Sequence, residues 1–304
     1  MKLLIIAALI NLAMPDADIN RDSCTDDQGQ EPLFSFGIIT DVHYCNCEPS
    51  GSRFYNKSLP RLRSAMQSLK DSRADFVINL GDLIDQDYES FKPVLDVIDS
   101  SGLKTWHCLG NHDFSVDRKY KRRLPVPLPE KEGYYSFVHK GFRFIVLNGN
   151  EVSTYGSGNR RSIKMAEEYI AGLKAEGSIN AIDWNGGIST EQLSWLDKEL
   201  SEAGSANEKV FIFCHFPVWP ENMHNLLNYK DVLSVLENHH NIIAWFGGHN
   251  HEGNYGNFNL IHCVTLRGMV ESEETTAWSL VEVYSNKIWI KGAGREKNII
   301  LAYQ

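Results

Sequence analysis

Five apolar stretches of strand length end in the same way, each running straight into a short loop that carries Asp, Asn or His. "FSFGIIT" leads to Asp41 and His43, "DFVINL" to Gly81 and Asp82, and "KTWHCL" to Gly110, Asn111, His112 and Asp113. "KVFIFC" leads to His215, and "NIIAWF" to Gly247, Gly248, His249 and His251. Near-continuous apolar runs of this length suit strands buried on both faces. Helical patterns at 58–70, 91–100, 189–203 and 229–240 lie between them, the third opening with Ser189 and Gln192 at capping-box spacing. Strand, loop and helix in alternation are the grammar of an α/β fold, whose ligands gather beyond the carboxyl ends of the strands. The polar residues above fall at those ends.

Two stretches interrupt the alternation. Residues 114–133 contain Pro125, Pro127 and Pro129, and residues 148–188 contain Gly156, Gly158, Gly186 and Gly187, which predicts loops with room for a helix around 161–175. At 304 residues the chain is long enough for one catalytic domain, predicted over 33–304. The apolar run from Leu3 to Ala13 is too short to span a bilayer and has the length of a signal-peptide core, so residues 1–17 are predicted to direct export, secreted or periplasmic. The alternative is a frayed apolar terminus that is not cleaved, on a cytoplasmic protein. Residues 18–32, with Asp18, Asp22, Asp26 and Asp27, read as a polar linker too poor in apolar groups to pack. No later segment is a candidate membrane span, and the formal charge of −9 argues against nucleic acid as a partner.

Six cysteines in a chain of this length make no disulfide framework. Cys108, Cys214 and Cys263 read as small buried hydrophobes, and Cys45 and Cys47 as loop thiols, with a disulfide between them as the alternative if the chain is exported. Trp184, Trp195, Trp245 and Trp278 read as core. His107, His139, His224, His239, His240 and His262 read as structural or solvated.

Taken singly, each polar cluster is weak. Together, Asp, His and Asn offer mixed oxygen and imidazole ligands that suit Mn, Fe, Zn or Ni better than Ca or Mg. Asp41, His43, Asp82, Asn111, His215, His249 and His251 exceed one ion's need, and a bridging Asp82 would serve two ions about 3.5–4 Å apart. Such a pair lowers the pKa of a shared water and offsets charge on a phosphoryl group, so hydrolysis of a small phosphate ester is the reaction it serves best. His112 is then free to protonate the leaving oxygen, with Asp113 to orient it. Tyr44 and Arg53, just past the first metal loop, are candidate substrate contacts.

"TDVH", "GDLID", "GNHD", "CHFP" and "GGHNH" resemble, in order, the five motifs of calcineurin-like metallophosphoesterases. The resemblance implies a single-domain sandwich of mixed β-sheets flanked by helices. It also implies two divalent ions, one on Asp41, His43, Asp82 and His251 and one on Asp82, Asn111, His215 and His249, with His112 as acid. "RFYNKSLPRL", "GYYSF", "WNGGISTEQLSWL", "NYKDVLSVL" and "TLRGMVES" are similar to segments of the manganese-dependent ADP-ribose/CDP-alcohol diphosphatases, from about Phe34 to Gly294. That subgroup implies manganese and a nucleotide-like small-molecule substrate. Its animal members often carry Gln where this chain has His43, the ordinary choice of the wider family. A phosphomonoesterase or phosphodiesterase on the same scaffold is the alternative, and a catalytically inactive binding module a third.

Overall fold

The computed structural model describes residues 29–156 and 160–304, so the predicted export segment and most of the linker lie outside the described residues. In chain order the strands are β1 (Phe34–Ile39), β2 (Phe76–Asn79), β3 (Thr105–His107), β4 (Tyr135–His139), β5 (Phe142–Val146) and β6 (Lys209–Phe213). They continue with β7 (Ile242–Gly247), β8 (Asn254–Phe258), β9 (Ile261–Thr265), β10 (Ala277–Val283), β11 (Lys287–Gly294) and β12 (Ile299–Ala302). The helices are α1 (Ser58–Asp71), α2 (Phe91–Ser101), α3 (Arg160–Ala175), α4 (Thr190–Ser205) and α5 (Tyr229–Leu236).

Two mixed sheets face each other, ordered β12-β11-β10-β1-β2-β3 and β4-β5-β6-β7-β9-β8. The five apolar runs become β1, β2, β3, β6 and β7, and within each sheet they pair in parallel, β1 with β2 and β2 with β3, and β6 with β7. Their carboxyl ends therefore share one edge of the sandwich. Phenylalanines fill the space between the sheets: Phe36 stacks on Phe76 at 5.5 Å and meets Phe144 edge-on at 5.5 Å, while Phe213 stacks on Phe246 at 5.5 Å. Each such buried ring contributes about 1.5–3 kcal/mol through removal from water. The outer faces are covered by α1 and α2 on the first sheet and by α4 and α5 on the second.

The helix predicted over 229–240 stops at Leu236. Beyond it, His239 pairs with Asp197 at 2.8 Å, and Asn241 donates to the carbonyls of Leu200 and Glu208, so side chains pull this segment onto α4 and β6. Only half of the predicted capping box forms. Ser189 accepts from the Gln192 backbone N–H at 3.1 Å, but the Gln192 side chain turns to the Asn148 carbonyl and Glu151. Cys45 and Cys47 are joined as a disulfide rather than standing as thiols, whereas Cys108, Cys214 and Cys263 are free and buried. Trp245 and Trp278 are core, but Trp184 is 43% exposed, because it lies on the loop before α4 rather than in an element that packs.

His107, on β3, is buried with its Nδ1 3.3 Å from Asn79 Nδ2, and burial together with Lys104 pushes its pKa down to about 4. The unfolded chain therefore takes up this proton first, so the stability involved is complete above about pH 6.5 and is lost as pH falls towards 4. The difference is worth on the order of 3 kcal/mol. Urea unfolding across pH 4–7 should show a flatter acid limb in His107→Gln than in wild type, and parallel curves would remove His107 from the account.

Candidate dinuclear metal centre

The site is built on strained backbone. Asp41, His43, Asp82 and His249 all adopt positive φ, at 51°, 47°, 54° and 65°. Non-glycine residues in this region cost about 1–3 kcal/mol each and persist only where the surroundings over-determine them. Here the loops are laced together: Asp41 N–H donates to Gly81 O, His43 N–H to Asp82 O at 2.9 Å, and Val270 N–H to Asp41 O at 3.1 Å. Two glycines permit the closeness. A Cβ at Gly110 would stand 2.1 Å from Asp82 Oδ1, and one at Gly248 2.2 Å from Thr40 Oγ1. In the last loop the positive φ thus belongs to His249, and Gly248 is required for close approach rather than for the turn.

The seven predicted ligands converge. Ligand atoms of Asp41, His43 and His251 lie within 4.8 Å of one another, as do those of Asp82, His215 and His249. Asp82 stands between the groups, its Oδ2 3.3 Å from His43 Nε2 and 3.3 Å from His215 Nε2. Asn111 Oδ1 is 3.2 Å from His215 Nε2, which joins it to the second group. His251 Nε2 is 3.2 Å from Asp41 Oδ1.

Two divalent ions fit this donor set. His43 Nε2 is buried without a hydrogen-bond partner, aimed at the carboxylates of Asp41 and Asp82, as an imidazole that ligates through this nitrogen would be. Each ligand histidine is held by its other nitrogen: His43 by Asp85 at 3.2 Å, His215 by the Leu80 carbonyl at 2.9 Å, His249 by Asn185 Oδ1 at 3.0 Å, and His251 by Glu271 at 2.6 Å.

Without cations the centre balances its charge with protons. Burial alone would raise the Asp41 and Asp82 carboxyls, but His251 beside Asp41 and His215 beside Asp82 hold both well below the usual range. Burial alone would lower His43 and His215, but Asp82 lifts His43 well above its ordinary value and His215 to about 9. His249 is driven down by burial and by His215. Metal must therefore displace protons from His43 and His215. Calorimetric titration with Mn at pH 7, in buffers of different ionisation enthalpy, should show net proton release on loading. Affinity should rise with pH towards 9, and buffer-independent heats would contradict this balance.

His112 differs from the ligand histidines. Its side chain is 27% exposed where His43 and His215 are at 0%. Its Nδ1 lies 3.0 Å from the Asp85 carbonyl and 3.3 Å from the Asp85 carboxylate. The ring is oriented by Asp85, not by Asp113. The Asp113 carboxylate is buried and accepts the backbone N–H groups of Asp82, Leu83 and Gly110, fixing the two loops to each other. Burial and the Asp82 charge raise its pKa to about 7.

Arg53 is placed between two carboxylates, 3.8 Å from Asp85 and 3.7 Å from Glu271, so it ties together the groups that hold His43, His112 and His251. Tyr44 is half-buried against the core beneath α1 and α2, its backbone N–H bonded to the Leu83 carbonyl. Asp85, Glu271 and Asn185 were not singled out from the sequence, although Asp85 lies inside "GDLID". His224, read as structural or solvated, stands at the centre's edge with its ring 5.4 Å from that of His249.

A two-layer sandwich that gathers two metal-binding groups at the carboxyl ends of its parallel strands defines a metal-dependent hydrolase of phosphate esters and anhydrides. Residues 34–253 match the family model described as calcineurin-like phosphoesterase. The chain belongs to the calcineurin-like phosphoesterase family. It is 30% identical to the manganese-dependent ADP-ribose/CDP-alcohol diphosphatase of Homo sapiens, across 90% of this chain and 94% of the relative. The protein of that name from Arabidopsis thaliana is 27% identical, with 88% and 96% covered. A dimetal phosphatase from Danio rerio superposes with a TM-score of 0.81 at 26% identity, covering 90% of this chain and all of that one.

Proposed function

We propose that this enzyme cleaves the phosphoanhydride of nucleoside diphosphate-linked small molecules, of the ADP-ribose or CDP-alcohol type, with manganese at both positions. The observation that carries the reading is the complete centre, bridged by Asp82 and flanked by the half-exposed His112, within a chain similar over nine-tenths of its length to diphosphatases of that description.

Asp41, His43, Asp82 and His251 would hold one ion, and Asp82, Asn111, His215 and His249 the other. When bound, the ions lower the pKa of a water and offset negative charge growing on the phosphoryl group. His112 delivers a proton to the departing oxygen, its Nδ1 held by Asp85 and its side chain partly exposed. Asp85, in contact with His43, His112 and Arg53, keeps the acid and the first metal group in register.

The test is a panel of ADP-ribose, CDP-choline, CDP-glycerol, cyclic nucleotides and simple monoesters, each with Mn, Fe, Zn or Mg. Diphosphate-linked compounds with Mn should show the highest kcat/KM. Higher values for monoesters would overturn the substrate assignment and leave the family assignment standing. Export is proposed as well, supported by the apolar run at 3–13 and by the Cys45–Cys47 disulfide, a linkage that persists in oxidising compartments. Mass analysis of culture medium against cytosol tests it, and an uncleaved, reduced cytosolic chain would oppose it.

A further inference from the structure

Beside the metal centre runs a groove of about 1370 Å³ whose walls carry Arg118, Lys121, Arg122, Arg123, Lys131 and Arg160. The carboxylates lining it are Glu130, Glu132 and Glu151, and Glu151 is already engaged by Gln192 at 2.7 Å. Six cations against three carboxylates is a positive excess in a chain whose formal charge is −9. Composition therefore does not explain it.

These cations differ from the arginines that the fold buries. Arg143 is paired with Glu199 and Glu208, Arg61 donates to the carbonyls of Met269 and Val270, and Arg267 pairs with Glu296. Among the described residues, no ion pair or side-chain hydrogen bond reaches Arg118, Arg123, Lys131 or Arg160. Several unneutralised guanidinium groups facing one concave space offer the forked donors that suit phosphate oxygens.

The groove also shares a wall with the catalytic loop. Leu109 and Phe114 line it and bracket residues 110–113, which carry Asn111 and His112. Tyr155 closes the partition: its ring lies 6.3 Å from that of Phe114, its hydroxyl donates to Asn150, and its carbonyl accepts from Lys121 Nζ at 2.7 Å. The volume exceeds the need of one phosphate and lies above the roughly 300–1,000 Å³ of ordinary ligand pockets, so a nucleotide-sized ligand can be admitted.

We propose that this groove is a phosphate-binding subsite extending from the metal centre, which takes a further phosphate group of the substrate beyond the linkage that is cut. The favoured substrate class is then a nucleoside diphosphate-linked compound bearing an additional phosphomonoester. The identity of the nucleotide rests on the function proposed above, whereas the anion site does not.

Two measurements separate the parts. First, inorganic tripolyphosphate is titrated calorimetrically into the full-length chain freed of metal by chelator, with folding checked by circular dichroism. The wild type should bind, and the double variant Arg118→Ser/Arg123→Ser, altered at two exposed positions, should bind at least tenfold more weakly. Equal affinity in the two proteins would overturn the site. Second, the Mn-loaded enzymes are compared on ADP-ribose and on ADP-ribose carrying an added ribose phosphate. The added phosphate should lower KM about tenfold in wild type, and the double variant should lose that advantage with kcat unchanged. Tripolyphosphate binding without any KM advantage would assign the anion to a separate molecule and overturn the substrate role. If neither nucleotide is turned over, the nucleotide reading falls while the first measurement still decides the groove.

Discussion

Asp82→Asn should purify with both metal positions depleted, and its kcat under Mn should fall on the order of 10²–10³-fold, the scale of losing one group that stabilises transition-state charge. Asp82 is the residue that reaches both groups, 3.3 Å from His43 and 3.3 Å from His215, and its Oδ1 accepts the His112 backbone N–H at 2.7 Å. Asparagine preserves the shape and can still accept that bond, so the fold should survive. It removes the negative charge that offsets repulsion between two dications, and one of the two oxygens available to them. His251→Ala is the contrast, because His251 belongs to the Asp41 and His43 group alone. It should deplete one position and leave about one ion per chain. Metal analysis of the two purified variants decides the matter, and full occupancy of both positions in Asp82→Asn would end the bridging assignment.

Whatever is written locally in the chain was readable before the structure. The strands that carry the site are buried on both faces, so each appears as a continuous apolar run, and each ligand follows its run within a few residues. The later strands are harder to read. β8 alternates between half-buried and exposed, and β11 is only partly buried, so neither stands out from a loop by hydrophobicity. The groups that hold the ligands are harder still, because the fold, not the chain, brings them near. Glu271 reaches His251 from twenty residues downstream, and Asn185 reaches His249 from the loop before α4. Asp113 shows the converse error. Adjacent residues in a tight helical turn point in different directions, so Asp113 faces inward to three backbone N–H groups while its neighbour His112 faces the opening. The carboxylate that orients His112 is Asp85, which was visible in "GDLID" but is a partner only once the β2 and β3 loops are seen to meet.

His112→Ala should lower kcat about 10²–10⁴-fold on substrates whose leaving group is an alkoxide, and much less on nitrophenyl esters. A general acid matters in proportion to how much the departing oxygen needs its proton, and a nitrophenolate leaves readily without one. Nucleotide leaving groups should fall between. Metal content should remain near wild type, because Asn111 rather than His112 joins the second metal group, and the cluster that His112 forms with His43 and Asp85 stands apart from the two groups that Asp82 bridges. Asp85→Asn separates orientation from proton delivery: the Asp85 carbonyl still accepts from His112 Nδ1, so the ring stays in place while the carboxylate that supports its charge is gone. That variant should show the same dependence on leaving group in weaker form, together with a looser first metal position, since Asp85 also holds His43 at 3.2 Å. Asp113→Asn should instead destabilise the chain with no dependence on leaving group, because its carboxylate binds only backbone N–H groups. A loss in His112→Ala that is uniform across leaving groups, or that comes with loss of metal, would move His112 from proton donor to substrate or metal support.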